Sequence, residues 1–170
     1  MSSEPVSGHS PPEYEDAHGD RPLTTVMLAL STFRRSEEAA GIAIEKAGQA
    51  GTLVIAYVAD VNLARYFVGT DVGLYPELEE TCERELLQKH REAGERRLGE
   101  LAERAERKGI TVRTRVEIGR FARVCLEMIA RERPDLVVTT RSSRPGWVRR
   151  FFGSPVDELV RKAGCPVIEV

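Results

Sequence analysis

Arg141, Arg144, Arg149 and Arg150 fall in one short loop together with Ser143, Gly146, Gly153 and Ser154. Residues of these types recognise anions: guanidinium groups fork onto phosphate or carboxylate oxygens, and glycines let backbone N–H groups approach closely. The residues on either side strengthen that reading. Residues 135–140 form a short apolar, β-branched run, as expected of a strand buried on both faces. Gly153-Ser154-Pro155 reads as a helix start, with Ser154 as N-cap, Pro155 at the first helical position and Asp157 placed to close a capping box. Strand, loop and helix N-terminus together gather unpaired N–H groups and the positive end of a helix dipole in one place. The alternative is that the arginines are solvated charge on a crowded loop. Trp147, Phe151 and Phe152 read as packing residues rather than as a platform for a base. No Ser-His-acid set, His-Glu-x-x-His, Walker or Rossmann glycine motif occurs, so no catalytic residue is assigned.

The loop needs elements to hold it. Residues 24–30 make a first strand. Ser36 caps a helix with Ala39, Ala40, Ala43, Ile44 and Ala47 on one side, ended by Gly48 and Gly51. Residues 52–59 are apolar throughout, as in a central parallel strand. Residues 60–76 read as a loop. A long helix over residues 77–108 turns Leu87, His90, Gly94, Leu98, Leu101 and Ala105 inward and carries Glu80–Arg84, Glu85–Lys89, Glu92–Arg96 and Glu100–Arg104 at (i, i+4) spacing. Residues 111–116 alternate valine with polar residues, the pattern of an edge strand. A helix over 120–132, the strand at 135–140, a helix over 155–162 and a last strand at 166–170 complete the chain. Strands alternating with helices require right-handed crossovers and a parallel sheet covered on both faces. Ligands in such sheets bind at the carboxyl ends of the strands, where the strand order reverses. The arginine loop belongs there, beside Ser31 and Thr32.

Composition bounds the rest. In 170 residues, 41% are hydrophobic and 31% charged, enough for one packed domain. Residues 1–21 lack residues to bury and predict a disordered acidic tail; residues 22–170 form the domain. The tail holds Glu4, Glu13, Glu15, Asp16 and Asp20. The net charge is -2, so the remainder is close to +3, too little for a dedicated nucleic-acid binder. No apolar run is long enough to cross a membrane. No secretory signal is visible. Cys82, Cys125 and Cys165 are odd in number and far apart, as in a reduced, cytoplasmic protein, and no metal site is predicted. His9 and His18 read as solvated tail residues.

The chain resembles the universal stress protein family. The resemblance rests on Gly146, on Arg149-Arg150-Phe151-Phe152-Gly153-Ser154, and on Ala163-Gly164-Cys165-Pro166-Val167-Ile168-Glu169-Val170. Ser36-x-x-Ala39 and Ile118-Gly119 extend it over residues 22–170. It implies a five-stranded parallel sheet of order 3-2-1-4-5 with helices on both faces. It also implies a homodimer joined along the last strand, Val167, Ile168, Glu169 and Val170. Members of the family bind ATP or AMP, or have lost that ability. The positions that the resemblance offers as nucleotide or phosphate contacts are Ala29, Ser31, Leu53, Thr139, Thr140, Ser143, Arg144, Gly146, Gly153, Ser154 and Pro155.

Several of these depart from the nucleotide-binding pattern Gly-x-x-Gly-x(9)-Gly-Ser. Its first two glycines fall at Thr140 and Ser143, where side chains crowd a phosphate and oppose positive φ. An aspartate acceptor falls at Ser31, and a backbone donor falls at Pro155, which has no N–H. Two readings follow. One is a non-catalytic dimeric stress protein that docks an unidentified protein partner and requires no cofactor. The other is a sensor that holds ATP, AMP or another phosphorylated ligand in the arginine-lined loop.

Overall fold

The computed structural model describes residues 23–32, 36–62, 65, 76–140 and 155–170, with the side chains of residues 76–79 and 155 excepted. In chain order the elements are β1 (Thr25–Ser31), α1 (Glu37–Ala47), β2 (Thr52–Asp60), α2 (Pro76–Glu106), β3 (Thr111–Gly119), α3 (Phe121–Glu132), β4 (Leu136–Thr139), α4 (Pro155–Lys162) and β5 (Val167–Glu169). The strands form one five-stranded sheet of order β3-β2-β1-β4-β5, and every adjacent pair is parallel. Fold and strand order agree with the expectation from the sequence.

Strand alternation sorts the core into two layers. Val26, Leu28, Leu30, Leu53, Ile55, Tyr57, Leu136 and Val138 face α1 and α2. Met27, Ala29, Val54, Ala56, Val58 and Val137 face α3 and α4. β1 lies between β2 and β4, so both of its backbone edges are bonded and its residues from Val26 to Ser31 are buried. This explains its unbroken apolar run.

The boundaries moved in two informative places. β2 runs one residue further than its apolar stretch, to Asp60, and β3 continues to Gly119 rather than stopping at Val116. The two extensions support each other, because Asp60 pairs with Gly119 in the register of the β2–β3 ladder. The expected start of α1 is as read: the Ala39 N–H donates to Ser36 Oγ at 3.1 Å, and Gly48 closes the helix at φ 63°.

α2 carries 31 residues, about 46 Å at 1.5 Å per residue. That is longer than the nine-residue β2, about 30 Å. The turns preceding Leu87, which packs against Ala59 near the end of β2, therefore reach past the carboxyl edge of the sheet. Gly94 lies against the ring of Tyr57. The ion pairs differ from the (i, i+4) ladder expected. Glu92 accepts from Gln88, Glu100 pairs with Arg97, and Arg104 reaches Glu37 at 3.0 Å. Arg97 also bonds Glu37, so two arginines of α2 hold the first turn of α1. Spacing along one helix does not reveal that a neighbouring helix offers a better-placed carboxylate.

The Arg97 hydrogen bond, together with its charge and that of Arg104, lowers the Glu37 carboxyl below its ordinary pKa. A carboxyl lowered in the folded state stabilises fully above its unfolded pKa and stops doing so as pH falls through the folded value. Glu37 is largely exposed, so the contribution is modest and screened by salt. Glu37→Gln should therefore be measurably less stable than the parent chain in urea titrations near pH 7. The gap should close in the acid range and shrink at high salt. A gap that persists below pH 3, roughly a unit under the ordinary carboxylate range, would show that the pair acts through packing.

Candidate functional site

β1 is the point from which the chain leaves in both directions, first to β2 and β3 and later to β4 and β5. The crevice above the carboxyl ends of β1 and β4 is therefore the switch point of this sheet. Ser31 ends β1 and is 2% exposed; Thr139, the last residue of β4, is fully buried; Thr140, next along the chain, is 5% exposed. The Thr139 hydroxyl donates to the carbonyl of Ala29 at 3.0 Å, in register with the pairing of Ala29 and Thr139. Thr32 follows Ser31 and accepts a hydrogen bond from the Tyr57 hydroxyl at 3.2 Å. A small group of hydroxyls thus lines the edge, held by the central strands.

The structure brings Ser31, Thr139 and Thr140 to this edge, with Ala29 just beneath them. It does not bring Leu53 there. Leu53 is the second residue of β2, in register with Val26 and Val112, and is fully buried in the layer beneath α1 and α2. The β2 residues at the carboxyl end are Val58, Ala59 and Asp60. Ser143, Arg144, Gly146, Gly153 and Ser154 lie outside the described residues, as do Arg141, Arg149, Arg150, Trp147, Phe151 and Phe152. The Ser154 cap and its capping box with Asp157 therefore also fall outside them. Pro155 opens α4.

Asp60 at this end was not singled out in the sequence, and Thr32 was placed there without its partner. Asp60 is 2% exposed, and its Oδ1 accepts from the Asn62 N–H at 3.0 Å. A polar residue closing an apolar run was the available signal. Thr32 is fixed by Tyr57, a strand residue whose hydroxyl cannot be placed without the register.

The electrostatics of the flanking helices are acidic. α1 begins with Glu37 and Glu38 and α4 with Asp157 and Glu158. Carboxylates there occupy the positive end of each helix dipole and oppose a second anion. Glu158 is drawn to Lys162, whose hydrogen bond and charge lower its pKa. The thiol of Cys165, by contrast, is pushed above its ordinary pKa by burial and by the charge of Asp135. It stays protonated at neutral pH and is a poor nucleophile. Among the described residues no cluster of His, Cys, Asp or Glu could hold a metal ion, and no helix is long and apolar enough to cross a membrane.

Comparison with known proteins accords with this geometry. The model of the universal stress protein family matches residues 23–170. Compared by sequence with curated proteins, the chain matches none. Among solved structures, the chain is similar to universal stress protein UspA from Lactobacillus plantarum, with 17% identity, TM-score 0.65, and 88% of this chain and 99% of that one covered. It is also similar to a universal stress protein family member from Arabidopsis thaliana with AMP bound, at 19% identity and TM-score 0.55, covering 86% and 90% of the two chains. A universal stress protein in complex with cAMP gives 16% identity and TM-score 0.53, covering 87% and 97%. With the family model spanning everything from the first strand to the last residue, the chain belongs to the universal stress protein family.

Proposed function

We propose that this chain is a non-catalytic universal stress protein, a dimeric regulatory module of the cytoplasm whose nucleotide loop is degenerate. The observation that carries the reading is the chemistry of the carboxyl edge. Ser31 stands where an aspartate acceptor for the nucleotide would be expected, and the first turns of α1 and α4 are doubly acidic. Thr140 and Ser143 replace the phosphate-loop glycines, and Pro155 removes a donor. Each feature weakens the hold on a polyphosphate. The outer side of β5 supports dimerisation through that strand. Val137 donates to the Pro166 carbonyl and Val170 to that of Thr139, so the peptide groups of Val167 and Glu169 point away from β4, on the side where a second copy would pair. Val170 itself lies just past the three-residue strand.

A second reading is supported by the relatives with AMP and with cAMP bound: a sensor that takes a mononucleotide at the hydroxyl-lined edge. Mass spectrometry of gently purified protein and calorimetry with ATP, AMP and cAMP separate the two. The first reading expects no co-purified nucleotide and no affinity tighter than about millimolar, ~4 kcal/mol. Thr140→Gly, Ser143→Gly and Pro155→Val combined should then gain at least ~10-fold for ATP, because one hydrogen bond to a charged group is worth about 1.5–3 kcal/mol. Ser31 is best left unchanged: at 2% exposure an aspartate there would bury a charge. Micromolar binding by the unmodified chain would establish the sensor instead.

A further inference from the structure

β3 is the longer of the two terminal strands, nine residues against three in β5, and it pairs with β2 in unbroken register from Thr111 to Gly119. A strand of that length on a sheet edge needs a guard or a partner. The direction of its outer peptide groups follows from the ladder. The Thr111 N–H donates to Gly51, so alternate residues Thr111, Arg113, Arg115, Glu117 and Gly119 spend their peptide groups on β2. The peptide groups of Val112, Thr114, Val116 and Ile118 point outward, and the Thr114 carbonyl accepts from Arg115 Nη1 at 3.1 Å. Arg113 and Arg115 pair with Glu132 at 3.1 and 3.7 Å, which places them on the α3 side. Val112 and Val116 pack toward the α1 and α2 side, and Ile118 at 44% exposure is an exposed large hydrophobic at this edge.

We propose that this edge is a second self-association surface, distinct from β5, on which the β3 strand of another copy pairs antiparallel about a two-fold axis at Val116. The charges select that register. An axis at Thr114 sets Arg113 opposite Arg115 twice, and an axis at Arg115 sets that residue opposite itself. Like charges directly opposed are unfavourable. An axis at Val116 sets Arg115 opposite Glu117 twice, joins each Arg115 to both Glu117 of the other copy and its own Glu132, and sets Val116 against Val116. It also sets Thr114 against Ile118, covering the exposed isoleucine. The outward peptide groups of Thr114, Val116 and Ile118 then fall in hydrogen-bonded pairs, as an antiparallel ladder requires, with Arg115 exchanging the Thr114 carbonyl for Glu117 of the other copy. A second copy is thus the occupant whose charge and backbone pattern this edge fits. Because β3 and β5 are at opposite ends of the sheet, pairing at both gives an open row of subunits.

Sedimentation velocity on the full chain, over concentrations up to the millimolar range, tests this with three variants. Val116→Pro removes an outward N–H and leaves the β2 ladder intact, as tolerated on edge strands. Glu117→Arg, at an exposed position, opposes two arginines across the axis. Each should weaken association beyond the β5 dimer on the order of tenfold or more. The swap Arg115→Glu with Glu117→Arg should restore it, since the opposed charges again differ in sign. Should Val116→Pro fail to fold, the two charge variants give the same answer. An unmodified chain that stops at one species at all concentrations, association untouched by Glu117→Arg, or a swap that fails to restore it would each overturn the proposal. Loss of β5 pairing alone would leave the effects of these variants in place, so the two edges are read separately.

Discussion

A Gly94→Ala chain is expected to lose about 2 kcal/mol of stability, although alanine favours a helix by about 1 kcal/mol over glycine. A Cβ at position 94 would stand 2.3 Å from Tyr57 Cδ1, 2.6 Å from Cε1 and 2.8 Å from Cγ. Tyr57 cannot step aside: it is fully buried, flanked by Leu30 on β1 and Val116 on β3, and its hydroxyl is bonded to Thr32. The helix has to retreat instead, loosening Leu98 and Leu101 behind it. The cause can be isolated with a second change. In a Tyr57→Leu background, itself destabilised, Gly94→Ala should be neutral or mildly stabilising in urea titrations, because the opposing ring is gone. An equal loss in both backgrounds would mean that some contact other than the ring sets the helix position. Movement at Tyr57 should also reach the carboxyl edge, where the amide signal of Thr32 in NMR spectra reports it.

Asp135→Ala should cost about 2–3 kcal/mol, and Asp135→Asn visibly less. One carboxylate oxygen, Oδ2, accepts from the Thr24 N–H at 2.9 Å, the Thr24 hydroxyl at 2.8 Å and the Thr25 N–H at 2.9 Å. In return the Asp135 N–H donates to the Thr25 carbonyl at 2.8 Å. Hydrogen bonds to a charged acceptor are worth about 1.5–3 kcal/mol each, and water at the exposed Thr24 recovers part of the loss. The asparagine keeps an acceptor oxygen but not its charge. An independent readout is Cys165, whose thiol is held up by burial first and by Asp135 second. Removing the charge should lower the pH at which Cys165 reacts with an alkylating agent in both variants. Unchanged stability in Asp135→Ala would mean that the backbone ladder alone aligns β1 with β4.

Most of the sheet was legible because its strands are either apolar throughout or visibly alternating. β1 and β2 read as buried on both sides since no polar residue interrupts them, and β3 read as an edge because every second residue is polar. What escaped depended on neighbours in space. Glu117, Ile118 and Gly119 look like a turn until Asp60 is set beside them, and Asp60 looks like a loop residue until Gly119 is. Of the ion pairs expected within α2, Glu100–Arg104 gives way to a pair between Arg104 and Glu37, which belongs to another helix. At the site, Ser31, Thr139 and Thr140 could be located because they end strands. Leu53 was assigned by resemblance alone, and its depth in the β2 ladder places it far from the crevice. Apolar composition does not say how many residues separate a strand position from the open end.

The central position of β1 also governs how quickly the fold can be completed. Its pairing with β2 closes a loop of modest length, whereas the contact of Thr139 with Ala29 spans 110 residues. Loop-closure entropy rises with that separation, and folding rates fall as such distant contacts accumulate. The half built from β1, α1, β2, α2 and β3 can assemble while β4 and β5 are still searching. Until they arrive, the β4-facing edge of β1 and its apolar flanks are open to solvent. The slow step of refolding, and the interval in which the chain is most vulnerable to aggregation, therefore belong to the docking of its last 35 residues or so.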